Sequence, residues 1–258
     1  MKRYIYIIAA LLMGATSCEM SDGETIEPID VGEHIGRHTI KLYEYELENF
    51  DYAIIADWYL STEDEALRTK ISNKYMAYEN SFVTMDEKGN ILIQYIYHSS
   101  WNANDNVHTY RRFITDGKLL SDGGVWSDDY GAAAKNATIR RNEDGTYSYI
   151  LDNQNQVYKL TISNLKCDIQ DGITYNVDGS IFHINGDVEY PSVILDTEIT
   201  ETLTYIKNYS NNNRFKSGKI DIKCDDRRID RMDYVELTFH GSYRARVKYL
   251  NETSDIQY

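Results

Sequence analysis

Six Asx-Gly dipeptides punctuate the chain after its first hundred residues: Asp116-Gly117, Asp122-Gly123, Asp144-Gly145, Asp171-Gly172, Asp178-Gly179 and Asn185-Gly186. Asn or Asp followed by Gly tolerates the positive φ of a tight two-residue turn, so each pair reads as the tip of a hairpin. Between the pairs the apolar residues alternate with a period of two, the pattern of a strand with one buried face. These intervals are too short for the crossover helix that a parallel pair needs, so the strands must be antiparallel. A mainly β fold follows, an antiparallel meander forming a sandwich or a partly closed barrel.

Several strands assign their own faces. Tyr158, Leu160 and Ile162 share one side of a strand, and Val235, Leu237 and Phe239 share one side of another. Tyr243 to Tyr249 places Tyr243, Ala245, Val247 and Tyr249 on one face and Arg244, Arg246 and Lys248 on the other. That basic row either receives an anionic ligand or forms a solvated face balanced by acids on neighbouring strands. Ahead of the strands the spacing is helical, with Leu47, Phe50, Ile54 and Trp58 in one stripe and Leu67, Ile71 and Tyr78 in another. Two short helices over about 47–78 are expected, with Thr62 and Glu65 forming a capping box between them.

The amino-terminal end carries an address. Lys2 and Arg3 precede an apolar run from Ile5 to Ala15, and Ala15-Thr16-Ser17 supplies small residues before Cys18. The run is about half of the roughly 20 residues a spanning helix requires, so it targets and does not span. These residues resemble the lipobox of bacterial lipoproteins, departing from it where Ala15 replaces the usual Leu. The resemblance implies cleavage before Cys18 and lipid, palmitate included, on that cysteine. Ala15-x-Ser17 also suits ordinary signal peptidase, which would cut the same bond without adding lipid. Residues 18–36 are expected to be a flexible tether, acidic and broken by Gly23, Pro28, Gly32 and Gly36, with the globular domain over 37–258. Acid close behind the cysteine loosely resembles surface lipoproteins of Bacteroidota, which implies an outer-membrane location with the domain exposed outside.

The formal balance is 27 cations minus 41 anions, or −14; losing Lys2 and Arg3 makes it 25 minus 41, or −16. With no Lys/Arg stripe to override it, such a charge repels phosphate backbones and excludes nucleic acid as a partner.

Candidate chemistry is sparse. Cys167 and Cys224 both fall on apolar faces and could form a disulfide or remain buried thiols. His34 and His38 stand four apart beside Glu33, but Gly36 argues against the helix a metal pair would need, and no metal or other cofactor is expected. No nucleophile elbow or phosphate-cradling loop is present. The Asx-rich stretches 102–106 and 152–155 read as turn chemistry or as oxygen ligands for calcium. Trp101 lies beside the first of them, and Trp126 lies in Gly123-Gly124-Val125-Trp126-Ser127-Asp128-Asp129-Tyr130. An indole among amides and carboxylates can stack on a sugar face while its neighbours take the hydroxyls, or it can cover the mouth of the sheet.

Three functions are carried forward. The first is a non-enzymatic envelope binding module for a glycan or a protein, with Trp101, Trp126 and Tyr130 as contacts and the membrane reached through the lipid. The second is a structural subunit that joins neighbours through a sheet edge. The third is a carboxylate-dependent hydrolase, which needs two acids facing one cleft.

Overall fold

The structure, a computed structural model, describes residues 27–98, 105–113, 125–126, 138–186, 191–208, 214–228, 230–241 and 243–258. Among these residues it is mainly β, with two helices followed by two antiparallel sheets, neither closed into a barrel.

Helix α1 runs from Pro28 to Ser61, so residues 28–36, expected to be tether, are helical, and this helix is 34 residues long, not short. The cause is local. Pro28 opens the helix where its missing N–H costs nothing, and the Asp30 carboxylate accepts the Glu27 N–H. Gly32 and Gly36 do not break the helix, because they lie where it presses on the sheet. A Cβ on Gly32 would stand 2.5 Å from Tyr249 Cβ, and one on Gly36 3.0 Å from Val247 Cγ2. The expected break at Ser61-Thr62 is present, with the Thr62 hydroxyl turned back onto the Trp58 carbonyl. Helix α2, Glu65–Tyr75, is capped by Asp64 and not by Thr62: its carboxylate takes the Ala66 and Leu67 N–H groups.

The smaller sheet has the order β1 (Ser81–Met85), β2 (Ile91–His98), β3 (Asp105–Phe113) and β4 (Val125–Trp126). The larger is a nine-stranded meander: β5 (Thr138–Arg141), β6 (Tyr147–Asp152), β7 (Gln156–Asp168), β8 (Gly172–Gly186), β9 (Pro191–Lys207), β10 (Arg214–Asp226), β11 (Arg231–Gly241), β12 (Arg244–Tyr249) and β13 (Glu252–Gln257). Gly145 and Gly172 sit at hairpin tips with positive φ, as their dipeptides foretell. Asp178-Gly179 is a correction. It lies inside β8 at a register shift, where Gly179 takes φ +117° and lets the Lys159 carbonyl approach too closely for any side chain. Gly218 does the same in β10. Bulges of this kind bend their strands and let them run on where turns were expected. Asn185-Gly186 closes β8, while Asp116-Gly117 and Asp122-Gly123 lie outside the described residues.

Helix α1 crosses one face of the large sheet from β12–β13 toward β6–β7. Near its start Glu33 meets Ser254, and farther on Phe50 packs edge-on to Tyr147 and Tyr175. The small sheet covers the opposite side of the helix, where Tyr52 meets Tyr110 at 6.1 Å. Residues 50–56 are therefore buried all round, which is why this stretch is apolar on every face except at Asp51.

The two thiols are free. Cys167 on β7 and Cys224 on β10 are three strands apart, about 14 Å by ordinary strand spacing, beyond the reach of a disulfide. Burial pushes both thiols up to about 12.

Candidate functional site

The expected contact residues fall on the small sheet as far as they are described. Trp126 occupies β4 opposite Arg112 of β3. Trp101 lies outside the described residues, in the connection between β2 and β3, and Tyr130 and Cys18 also lie outside them.

Strands β2 and β3 bring together an aromatic ladder that the sequence reading missed. A register shift opposite Tyr110 turns both Tyr110 and Arg111 toward Tyr52 of α1, with the Arg111 guanidinium 4.9 Å above that ring. From this anchor the rings continue outward. Tyr110 packs edge-on to Tyr78 at 5.2 Å, and Tyr78 stacks on Tyr95 at 4.1 Å. Tyr95 stacks on its cross-strand partner His108 at 5.5 Å, and His108 meets Tyr97 edge-on at 5.7 Å. Exposure rises along the ladder: Tyr110 is buried, Tyr95 and His108 are half-buried, and Tyr97 is 52% exposed.

The ladder is held from both sides. On the other face of the sheet Gln94 bridges Thr84 and Thr109, accepting at 2.7 Å and donating at 2.9 Å, so that strands β1, β2 and β3 are tied by one amide. The Tyr110 hydroxyl accepts the Ala77 N–H, which fixes the segment carrying Tyr78. Burial raises the Tyr110 phenol to about 12, so it stays a neutral hydrogen-bonding group at any physiological pH. At the hairpin's outer end His98 and Asp105, both exposed, bond at 2.6 Å. An exposed ring on a rigid stack offers an apolar platform, with the amide residue Asn106 as its cross-strand neighbour on the same face, while the imidazole–carboxylate pair falls on the Gln94 face of the hairpin. The signal for it is legible in retrospect: Tyr95-x-Tyr97 and His108-x-Tyr110 are two alternating aromatic pairs flanking the Asx-rich stretch 102–106.

The outer face of the large sheet carries the basic row, and its charges balance as the solvated-face alternative expects. Arg246 meets Asp255 at 2.9 Å, and Glu236 receives Lys219 at 2.8 Å and Lys248 at 3.9 Å. An open depression of roughly 380 Å³ lies on this face, lined by Asp196, Glu198, Asp221 and Glu236 with Lys223, Lys248, Tyr234 and Leu250. Hydrogen bonding from Lys219 holds the Glu236 carboxyl below its ordinary range. It is thus tied to charge balance and is poorly suited to deliver a proton.

The most buried charges lie under α1. Asp51 accepts the hydroxyls of Tyr175 at 2.6 Å and Tyr205 at 3.0 Å, and Lys207 stands 3.5 Å away, 5.4 Å over the Tyr52 ring. This cluster locks helix to sheet. His34 and His38 do share a helix, contrary to the expectation from Gly36, but among the described residues no three His, Cys, Asp or Glu side chains form a metal-binding group. No helix among the described residues is long and apolar enough to cross a membrane.

No protein-family model, no curated protein and no solved structure matches this chain.

Proposed function

We propose that the chain is a lipid-anchored module of the bacterial cell envelope that binds a glycan on the aromatic ladder of its small sheet. The carrying observation is the outward rise in exposure from Tyr110 through Tyr95 and His108 to Tyr97, whose cross-strand partner is Asn106. A pyranose offers an apolar C–H face and a rim of hydroxyls, which match a ring and its polar neighbours. Trp126 lies on β4 of the same sheet, and Trp101 falls between β2 and β3 in the sequence. Export and anchoring rest on residues 1–18: the basic start, the short apolar run and Cys18 behind small residues. Two or more acyl chains, each contributing about 0.8 kcal/mol per buried methylene, would hold the module at the outer membrane.

The other two readings receive less support. Edge-to-edge assembly through β13 needs that strand open, yet the Arg37 guanidinium donates to its Gln257 carbonyl and Glu33 accepts from Ser254 beside it. A hydrolase has acids in the outer depression, but Glu236 is held there by two lysines.

The test is a glycan array probed with the full chain and with Trp101→Ala and Trp126→Ala, alongside intact-mass measurement of the cell-derived protein. Acyl mass on Cys18 and array signals weakened by either substitution are expected. An unacylated product, or an array without signal, overturns the reading.

A further inference from the structure

His34 and His38 are one turn apart on α1, so their side chains rise from the same helix face with Cβ atoms about 5–6 Å from each other. The His34 ring feels the charge of His38 and, after it, those of Lys41 and Arg37. Gly36 does not separate the two. It stands two residues from each, about 200° around the helix, and therefore faces the opposite way. There it presses on the large sheet, where a Cβ would lie 3.0 Å from Val247 Cγ2, and Ile35, Thr39 and Ile40 are buried around it. The histidines face outward, His34 half-buried and His38 exposed.

This turn of the helix is clamped. The Arg37 guanidinium donates to the Gln257 carbonyl, and Glu33 accepts from the Ser254 hydroxyl, so both residues tie the turn to β13. Gly32, one turn earlier, abuts Tyr249. Two donors carried on a backbone already fixed lose only side-chain freedom when they close on one ion.

The donor set selects the ion. Imidazole nitrogen suits zinc, copper and nickel, whereas magnesium and calcium take oxygen. Two histidines at i and i+4 on a helix have the spacing by which helical zinc motifs supply their first two ligands. Of the neighbouring cations, Arg37 is offset by Glu33 at 3.7 Å, and Lys41, exposed and one turn beyond Arg37, opposes a second positive charge.

We infer that His34 and His38 together chelate a divalent transition ion, zinc or copper, on the outer face of α1, with its remaining positions open to water or to a donor from outside the chain. Catalytic and structural centres use three or four protein ligands; two make a labile site that exchanges its ion. The site depends neither on glycan binding at the small sheet nor on acylation of Cys18.

The test is isothermal titration of the full chain at about pH 7.5, where imidazole is neutral, with zinc chloride and with magnesium chloride. Zinc should bind and magnesium should not. His34→Gln and His38→Gln, which place a good helix former at each position, should each lose the zinc heat while still melting cooperatively. His98→Gln, on the small sheet, should keep it. Lys41→Gln should bind zinc about twofold more tightly, because a like charge one turn away is removed. Zinc should also raise the melting temperature of the wild type and leave that of His38→Gln unchanged. A wild type that gives no zinc heat, or a heat that survives either substitution of the pair, overturns the inference and leaves the glycan reading standing.

Discussion

Lys207 Nζ stands 3.5 Å from Asp51 Oδ2 with both side chains withdrawn from water, and this pair joins strand β9 to helix α1 at the centre of the molecule. Burial pushes the Asp51 carboxyl up, and Lys207 with the Tyr175 and Tyr205 hydroxyls pulls it back. Removing one partner strands the other. Lys207→Met or Asp51→Asn should each destabilise the fold by about 3–5 kcal/mol, read from urea unfolding. The double variant Asp51→Leu/Lys207→Met should regain only part of that, because the two tyrosine hydroxyls then lose their acceptor.

Two groups on α1 should give opposite pH dependences. Burial raises Glu44 to about 7, so its folded form holds a proton the unfolded chain has released; the associated stability is present below about 4.5 and lost as pH rises through 7. Burial, with His38 and nearby cations, lowers His34 to about 4; the associated stability is present above about 6.5 and lost as pH falls through 4. Glu44→Gln should therefore raise the melting temperature at pH 8 relative to pH 5. His34→Gln should lessen the loss of stability between pH 6.5 and pH 4.

Gly32 should resist even the smallest side chain. Alanine is the better helix former by about 1 kcal/mol, but its Cβ would lie 2.5 Å from Tyr249 Cβ, and overpacking costs about 1–3 kcal/mol. Gly32→Ala should thus lower the melting temperature. Gly179→Ala should lower it further, because the obstructing atom is the Lys159 backbone carbonyl and φ is +117°.

With Cys167 and Cys224 unpaired, unfolded acylated protein should titrate two thiols, and dithiothreitol should leave its melting temperature unchanged.

The strand faces were legible because period-two alternation reports burial directly: Tyr158, Leu160 and Ile162 are buried, as are Val235, Leu237 and Phe239. Arg246 and Lys248 found acids across the sheet for the same reason. What misled was glycine. Gly32 and Gly36 look like chain breakers until the neighbouring sheet is in place, and Gly179 looks like a turn until Lys159 is opposite it. The ladder is legible only in part: Tyr95-x-Tyr97 and His108-x-Tyr110 alternate, but stacking of Tyr78 on Tyr95 depends on how the segment after α2 meets β2, which no local spacing encodes.

Isothermal titration of the full chain with an oligosaccharide positive on the array tests the ladder most directly. Tyr97→Ala should weaken binding about tenfold, since one aromatic platform contributes on the order of 1.5 kcal/mol. Tyr234→Ala, on the outer face of the large sheet and more exposed at 66%, should leave affinity unchanged. Wild-type affinity in Tyr97→Ala, or its loss in Tyr234→Ala, would contradict a glycan site on the small sheet.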